Sequence, residues 1–231
     1  MNAKKRLTLI AGLQYLAVGI FAGFSQGYVT SKIYVSGDAV QSAQNVVANL
    51  TLMKLGIVAD LIQATVFVFL VMTLFRLLGA ANRSVGHLMV VLVAISSAIM
   101  CLNNVFQYGA LLVADTGAYS DALGVGGSQG LVLLLLELHH YGFLIAQIFF
   151  GLWLAPLGYL AKKAGIFPKA LSWVLIVAAL CYLLDTFLLF VSPELGEQVN
   201  SFLLVAPIVG ELWMVGHLLY LGIRRGGNPL S

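Results

Sequence analysis

Charge is what this chain has least of. Lys, Arg, Asp and Glu together make up 9% of its 231 residues, against about 25% in an average soluble domain. That deficit leaves too little polar surface to solvate a globule of this size. It excludes a soluble enzyme, a disordered chain and a nucleic-acid partner as first readings. Cysteine is scarce too. Cys101 and Cys181 are the only two, and both fall inside apolar runs, so no disulfide framework is available. No Gly-Lys-Ser/Thr phosphate loop, His-x-x-x-His pair or paired-cysteine signature occurs, so spacing alone demands neither nucleotide nor metal. What the chain has in quantity is apolar material: 61% of its residues, enough for roughly six membrane helices. The net charge of +3 therefore says nothing about acidic partners. The positions of the positive charges are what matter.

Six apolar stretches fall at about 7–27, 52–78, 86–113, 131–160, 170–191 and 201–223, each long enough to cross the hydrocarbon core as a helix. They are continuously apolar and not alternating, which argues against a β-barrel. The expected fold is an all-α, single-domain, six-helix membrane bundle. Lys4, Lys5, Arg6, Arg76, Arg83, Lys162, Lys163, Lys169, Arg224 and Arg225 occupy the N-terminus, alternate loops and the C-terminus. The opposite loops hold Lys32 with Asp38, Asp115, Asp121, Glu194 and Glu197, and Lys54 lies at a span end. The positive-inside rule then predicts both termini in the cytoplasm. The first span lacks a clean small-x-small cleavage site, so it reads as a helix and not as a signal peptide. Its Gly19, Gly23 and Gly27 form a small-residue stripe suited to close packing inside the chain.

Two of the outer loops are longer. In the first, Asp38 is placed to cap a helix, with Gln41 at the reciprocal position of a capping box. Val40, Ala43, Val47 and Leu50 then share one face, so about 38–50 reads as an amphipathic helix lying on the membrane. The second, 114–130, carries Gly117, Gly124, Gly126, Gly127 and Gly130 and reads as a mobile connector. On the inner side, Gly165 and Pro168 stop the fourth span and start the fifth.

Ionisable groups inside a span cost at least a few kcal/mol each, so they face the bundle interior and mark function by default. Here they are Asp60, Glu137, His139, His140, Asp185 and Glu211, with Asn103, Asn104, Gln107 and Gln147 as uncharged company. At about 1.5 Å rise per residue, Asp60, Glu137, His139, His140 and Asp185 lie roughly 9–13 Å below the outer surface. Asn103 and Asn104 fall at a similar level, and Glu211 at about 15 Å. Helical spacing groups Glu137, His140, Leu144, Gln147, Gly151 and Gly158 on one stripe. Gly56, Asp60 and Gln63 form a second, and Ser96, Met100, Asn103 and Gln107 a third. These stripes predict inward faces around a polar cavity. The bland alternative is that the amides are interhelical glue and that Asp185 is protonated and bonded to a neighbouring helix.

Glu137 and His140 make a Glu-x-x-His pair, half of the di-iron pattern, but no second copy exists because His217 has no glutamate three residues before it. A single divalent metal such as zinc, held among Glu137, His139, His140 and Asp185, is chemically reasonable. His217 is expected to pack with Trp213 and Tyr220 on the inner half of the sixth span.

The run Glu137-Leu-His-His-Tyr-Gly-Phe-Leu-Ile, followed by Phe149-Phe-Gly-Leu and Leu157-Gly-Tyr-Leu, resembles a bacterial six-span membrane family catalogued as domain of unknown function 4386. Gly37-Asp38-Ala39 with Asn45, Leu55-Gly-Ile-Val-Ala-Asp60, Phe167-Pro-Lys, Tyr182-Leu-Leu-Asp185 and Pro207 to Glu211-Leu extend the resemblance over nearly the whole chain. It implies a multi-pass protein of the bacterial inner membrane and no established reaction. The family pattern of an acid, one gap and a histidine maps onto Glu137 and His139, whereas the helical stripe favours His140; the choice stays open. Where the family often has a histidine after Phe-Phe-Gly-Leu, this chain has Trp153, which weakens a metal reading. Three functions are then in play. One is a buried acid/histidine site for a lipid or apolar small molecule, with or without a metal. The others are a small proton-coupled transporter and a non-catalytic assembly or sensory subunit. Membrane lipids are the expected partners, and the oligomeric state is left open.

Overall fold

The computed structural model of the protein describes residues 3–224, so Arg225 lies outside the described residues. The described chain is helical. Its elements are α1 (Ala3–Ala22), a wide π turn over Gly23–Val29, α2 (Thr30–Ile33), α3 (Ala39–Ala48), α4 (Leu50–Leu78), α5 (Arg83–Asp115), α6 (Gly117–Leu152), α7 (Leu154–Ala164), α8 (Lys169–Val191), α9 (Pro193–Leu203) and α10 (Val205–Ile223). Six helical stretches are long and apolar enough to cross a membrane: Ala3–Ile33, Leu50–Leu78, Arg83–Asp115, Gly117–Ala164, Lys169–Val191 and Pro193–Ile223. Large apolar side chains stand outward along them, among them Leu102, Val105, Leu180 and Phe202, between 61% and 79% exposed. An apolar perimeter of that kind is stable only against lipid. This is a multi-span membrane protein.

The chain divides into two compact units. The first comprises Met1–Ala17, Val66–Ser97 and Ile145–Ser231, and the second Val18–Thr65 and Ala98–Leu144. In the first unit the core is aromatic. Trp153 is fully buried, with the rings of Phe67 at 5.0 Å, edge-on, and Tyr15 at 5.6 Å. Phe150 continues the cluster to Tyr182 at 5.1 Å. Gly151 and Gly158 let α8 approach closely, because a Cβ at either would collide with Tyr182 or with the main-chain oxygen of Ser172. That small stripe was legible in the sequence. Gly165, at φ +72°, ends α7 in the left-handed conformation that glycine adopts without strain, and Pro168 precedes α8.

In the second unit Val29, Ile33, Val46, Met53, Ala110 and Leu111 form the centre of an apolar core. Asp38 caps α3 as expected, its carboxylate accepting from the Gln41 main-chain N–H at 2.9 Å. The reciprocal arm of the capping box is not made, since the Gln41 side chain donates to Asn45 instead. Helix α3 also differs from the expected amphipathic surface helix. Ser42, Ala43 and Val46 face inward while Val40 and Val47 are about half exposed. Ser42 holds α3 to the preceding turn by exchanging 3.0 Å hydrogen bonds with the main chain of Val35. Burying two small apolar groups and a satisfied serine suits protein packing better than a lipid surface does.

Two further expectations change. The 114–130 connector is largely helical and forms the start of α6, broken at Gly124, whose φ of +72° and ψ of 163° a side chain would oppose. Gly19, Gly23 and Gly27 have open space where their Cβ atoms would be, so the stripe makes no close approach to any of the described residues. Among the described residues one helix was passed over by the sequence reading: α9, begun by Pro193 at its first turn.

Candidate functional site

The polar stripes do turn inward. Gly56, Asp60 and Gln63 on α4 are buried, as are Ser96, Met100, Asn103 and Gln107 on α5. On α6 the buried positions Val132, Leu136 and His139 follow at helical spacing. The spacing argument had favoured His140. The structure buries His139 to 5% exposure and leaves His140 half-buried, its ring stacked on Tyr34 at 5.7 Å.

In the second unit Asp60 lies in a tight pocket with Gln26, Met100, Asn103, Asn104, His139 and Phe143. Gln26 comes from the π turn. There the main chain of Ser25 accepts from both the N–H and the hydroxyl of Thr30, five residues on. Wide turns of this kind recur at functional sites. The Gln26 amide donates to both carboxylate oxygens of Asp60 at 3.2 Å. Asn103 donates to the main-chain oxygen of His139 at 2.7 Å, tying α5 to α6. A second cavity, sharing His139 as a wall, is lined by Thr30, Ile33, Tyr34, Gln107, Leu136 and His140. Its volume of about 10 Å³ is close to the least that holds one water. The Asp60 pocket has none to spare.

Among the described residues of this unit, the side-chain amide oxygens of Gln63, Asn103, Asn104 and Gln107 are buried without a donor. Leaving such a group unpaired costs roughly 1–3 kcal/mol.

The acids of the first unit are arranged differently. Glu211 accepts the Tyr15 hydroxyl at 3.0 Å on one oxygen and the Tyr182 hydroxyl at 3.1 Å on the other. Asp185 accepts from Asn200 at 2.7 Å and from Gln147 at 3.0 Å, again one oxygen each. Gln147 also donates to Thr186. These carboxylates are satisfied by side chains of neighbouring helices and read as bundle staples. His217 lies beside Phe167 and Tyr220, with Nε2 at 3.3 Å from the main-chain oxygen of Ile166.

Sequence reasoning missed Gln26, Tyr15, Tyr182 and Asn200. Tyr182 was within reach, one turn before Asp185 in the same quoted segment. Gln26 was too, as a lone amide in an apolar span. The metal expectation gains no support. No group of three or more His, Cys, Asp or Glu among the described residues is placed to hold an ion. Asp185 has both oxygens engaged, and the half-buried Glu137 lines neither cavity.

A further cavity of this unit is roomier than these two. An open groove of about 330 Å³ runs between α3 and the start of α6, lined by Ala43, Gln44, Val47, Ala114, Ser128 and Val132 among others. No curated protein and no solved structure matches the chain. A family model matches residues 10–222, and the chain belongs to that family, described as Domain of unknown function (DUF4386).

Proposed function

We propose that the second unit is a binding site for an amphiphilic lipid or an apolar small molecule that enters from the outer leaflet. One observation carries this reading: the groove and the histidine cavity occupy successive turns of one helix face. Val132 borders the groove, Leu136 the cavity one turn on, and His139 both the cavity and the Asp60 pocket. The groove has the size of small-molecule sites, which run from about 300 to 1,000 Å³. Its lining is mostly apolar, with Gln44, Ser120, Ser128 and Gln129 as hydrogen-bonding points. An acyl chain fits such a wall, and those four side chains meet its polar end. The asymmetry of basic loops supports the outer leaflet of a bacterial inner membrane as the side of entry.

Native mass spectrometry of the detergent-purified protein tests the reading. Wild-type protein carries co-purified lipid. Ala114→Phe and Ala48→Phe, which fill the groove from partly exposed positions, reduce the bound fraction several-fold. Leu102→Phe, on the lipid-facing perimeter, leaves it unchanged. Equal lipid retention in all four proteins overturns the proposal.

A further inference from the structure

The structure assigns a second ligand to this unit, and it does not depend on what enters the groove: we propose that the Asp60 pocket binds a single dehydrated monovalent cation of the size of Na⁺. Two independent observations converge on it. Asp60 is 1% exposed and its carboxylate has one side-chain amide, that of Gln26, shared between both oxygens at 3.2 Å. Asn104, 5% exposed, lines the same pocket, and its amide oxygen has no donor, because its nitrogen is committed to the main-chain oxygen of Met100 at 3.0 Å. Asn103 stands beside it with its nitrogen likewise committed, to His139, and its oxygen without a donor. The pocket is thus lined by a carboxylate and by two amides whose oxygens lack a donor. Hard cations take such oxygens.

Charge and size select the ion. One carboxylate balances one positive charge, whereas a divalent ion here leaves an uncompensated charge in low dielectric. The pocket admits no water-sized sphere, so a hydrated ion is excluded and a K⁺ ion, nearly as large as a water, is disfavoured. His139, Gln26 and the buried Ser25 hydroxyl are the other polar side chains at Asp60. None of these side chains carries a fixed positive charge.

Thermal melts of the full-length protein in detergent, followed by tryptophan fluorescence, test this in NaCl, KCl and choline chloride at equal ionic strength. A ligand that binds the native state alone raises stability with its concentration. NaCl raises Tm by several degrees in a concentration-dependent way, and KCl and choline do not. Asp60→Asn abolishes the Na⁺ increment. Asn104→Ala raises the Na⁺ concentration needed at least tenfold, and Glu211→Gln keeps the increment. Should Asp60→Asn fail to fold, Asn104→Ala and direct ²³Na⁺ titration of wild-type protein by nuclear magnetic resonance carry the test. Equal melting in the three salts overturns the proposal, as does an equal response to Na⁺ and K⁺. So does an Na⁺ increment that survives both substitutions. Stability that follows pH and ignores Na⁺ also overturns it, since Asp60 is then a neutral acid donating to an amide. Lipid retention is unaffected by these outcomes, so failure here and failure of the groove reading are separable.

Discussion

Asn103 reaches from α5 to donate its side-chain amide to the main-chain oxygen of His139 at 2.7 Å. Its own amide oxygen lies where Gly142 would carry a Cβ. The contact fixes the height of α6 against α5, and with it the wall that separates the histidine cavity from the Asp60 pocket. It exists only because residue 142 has no side chain.

Gly142→Ala therefore drives the Asn103 amide off its partner. The expected cost is about 1–3 kcal/mol, the usual penalty for overpacking a close contact. Asn103→Ala alone costs a similar amount by leaving the His139 side of the bond unmade. The double variant is less destabilised than the sum of the two, because both act on one contact. Melting temperatures of the four proteins measure the coupling. Strict additivity would show that the contact is not made.

The tyrosine pair on Glu211 gives a second expectation. Tyr15→Phe or Tyr182→Phe removes one of two hydroxyls from a carboxylate and costs roughly 1.5–3 kcal/mol, the range for hydrogen bonds to charged groups. Removing both costs more than twice either, since the second loss strands the acid. Glu211→Gln is milder than the double tyrosine variant. Lipid retention stays at the wild-type level throughout, because these residues belong to the bundle and not to the site.

Asn200 is the single side chain that ties α9 to the carboxylate of Asp185 among the bonds described. Asn200→Ala leaves α8 in place and loosens α9. Hydrogen exchange then accelerates over 193–203 with little change over 169–185, because local opening needs only the loss of its own anchor. Uniform acceleration across both helices would place Asp185 and Asn200 in one cooperative unit.

Much of this was legible in the chain. The six spans, the Asp38 cap and the Gly165 stop follow from local chemistry, and local chemistry is what a sequence records. The burial of Gly56, Asp60 and Gln63 on one face followed from spacing alone. Azimuth was not. Asp60 and Asp185 were expected at a similar depth, yet one takes Gln26 and the other Gln147 and Asn200. A rise per residue gives height in the membrane, and only tertiary packing gives the partner. The helical stripe favoured His140 for the same reason: the buried face of α6 runs through Val132, Leu136 and His139, a stripe whose first members are apolar and so carried no polar signal. The glycines of 114–130 misled in the other direction. Only Gly124 uses its freedom, and the rest are simply tolerated in a helix held by its neighbours.

Asp38→Ala tests whether the cap or the packing holds α3. Loss of a side-chain cap costs about 1 kcal/mol. Ser42 and Asn45 still tie the helix to Val35 and Ile33, so exchange quickens over 39–42 and not over 43–48. Quickening along the whole helix would mean that the cap, and not Ala43 and Val46, fixes it.

The central claim is that the groove between α3 and α6 holds an amphiphile, and photo-labelling in reconstituted membranes measures it most directly. A phospholipid carrying a diazirine on its acyl chain, activated and mapped by peptide mass spectrometry, labels Ala43–Ala48 and Ser120–Val132 above the perimeter background set by Leu102 and Leu180. Ala114→Phe removes that excess and leaves the perimeter signal unchanged. Labelling no greater in the groove than at Leu102 and Leu180, or an excess that Ala114→Phe leaves intact, would contradict the account.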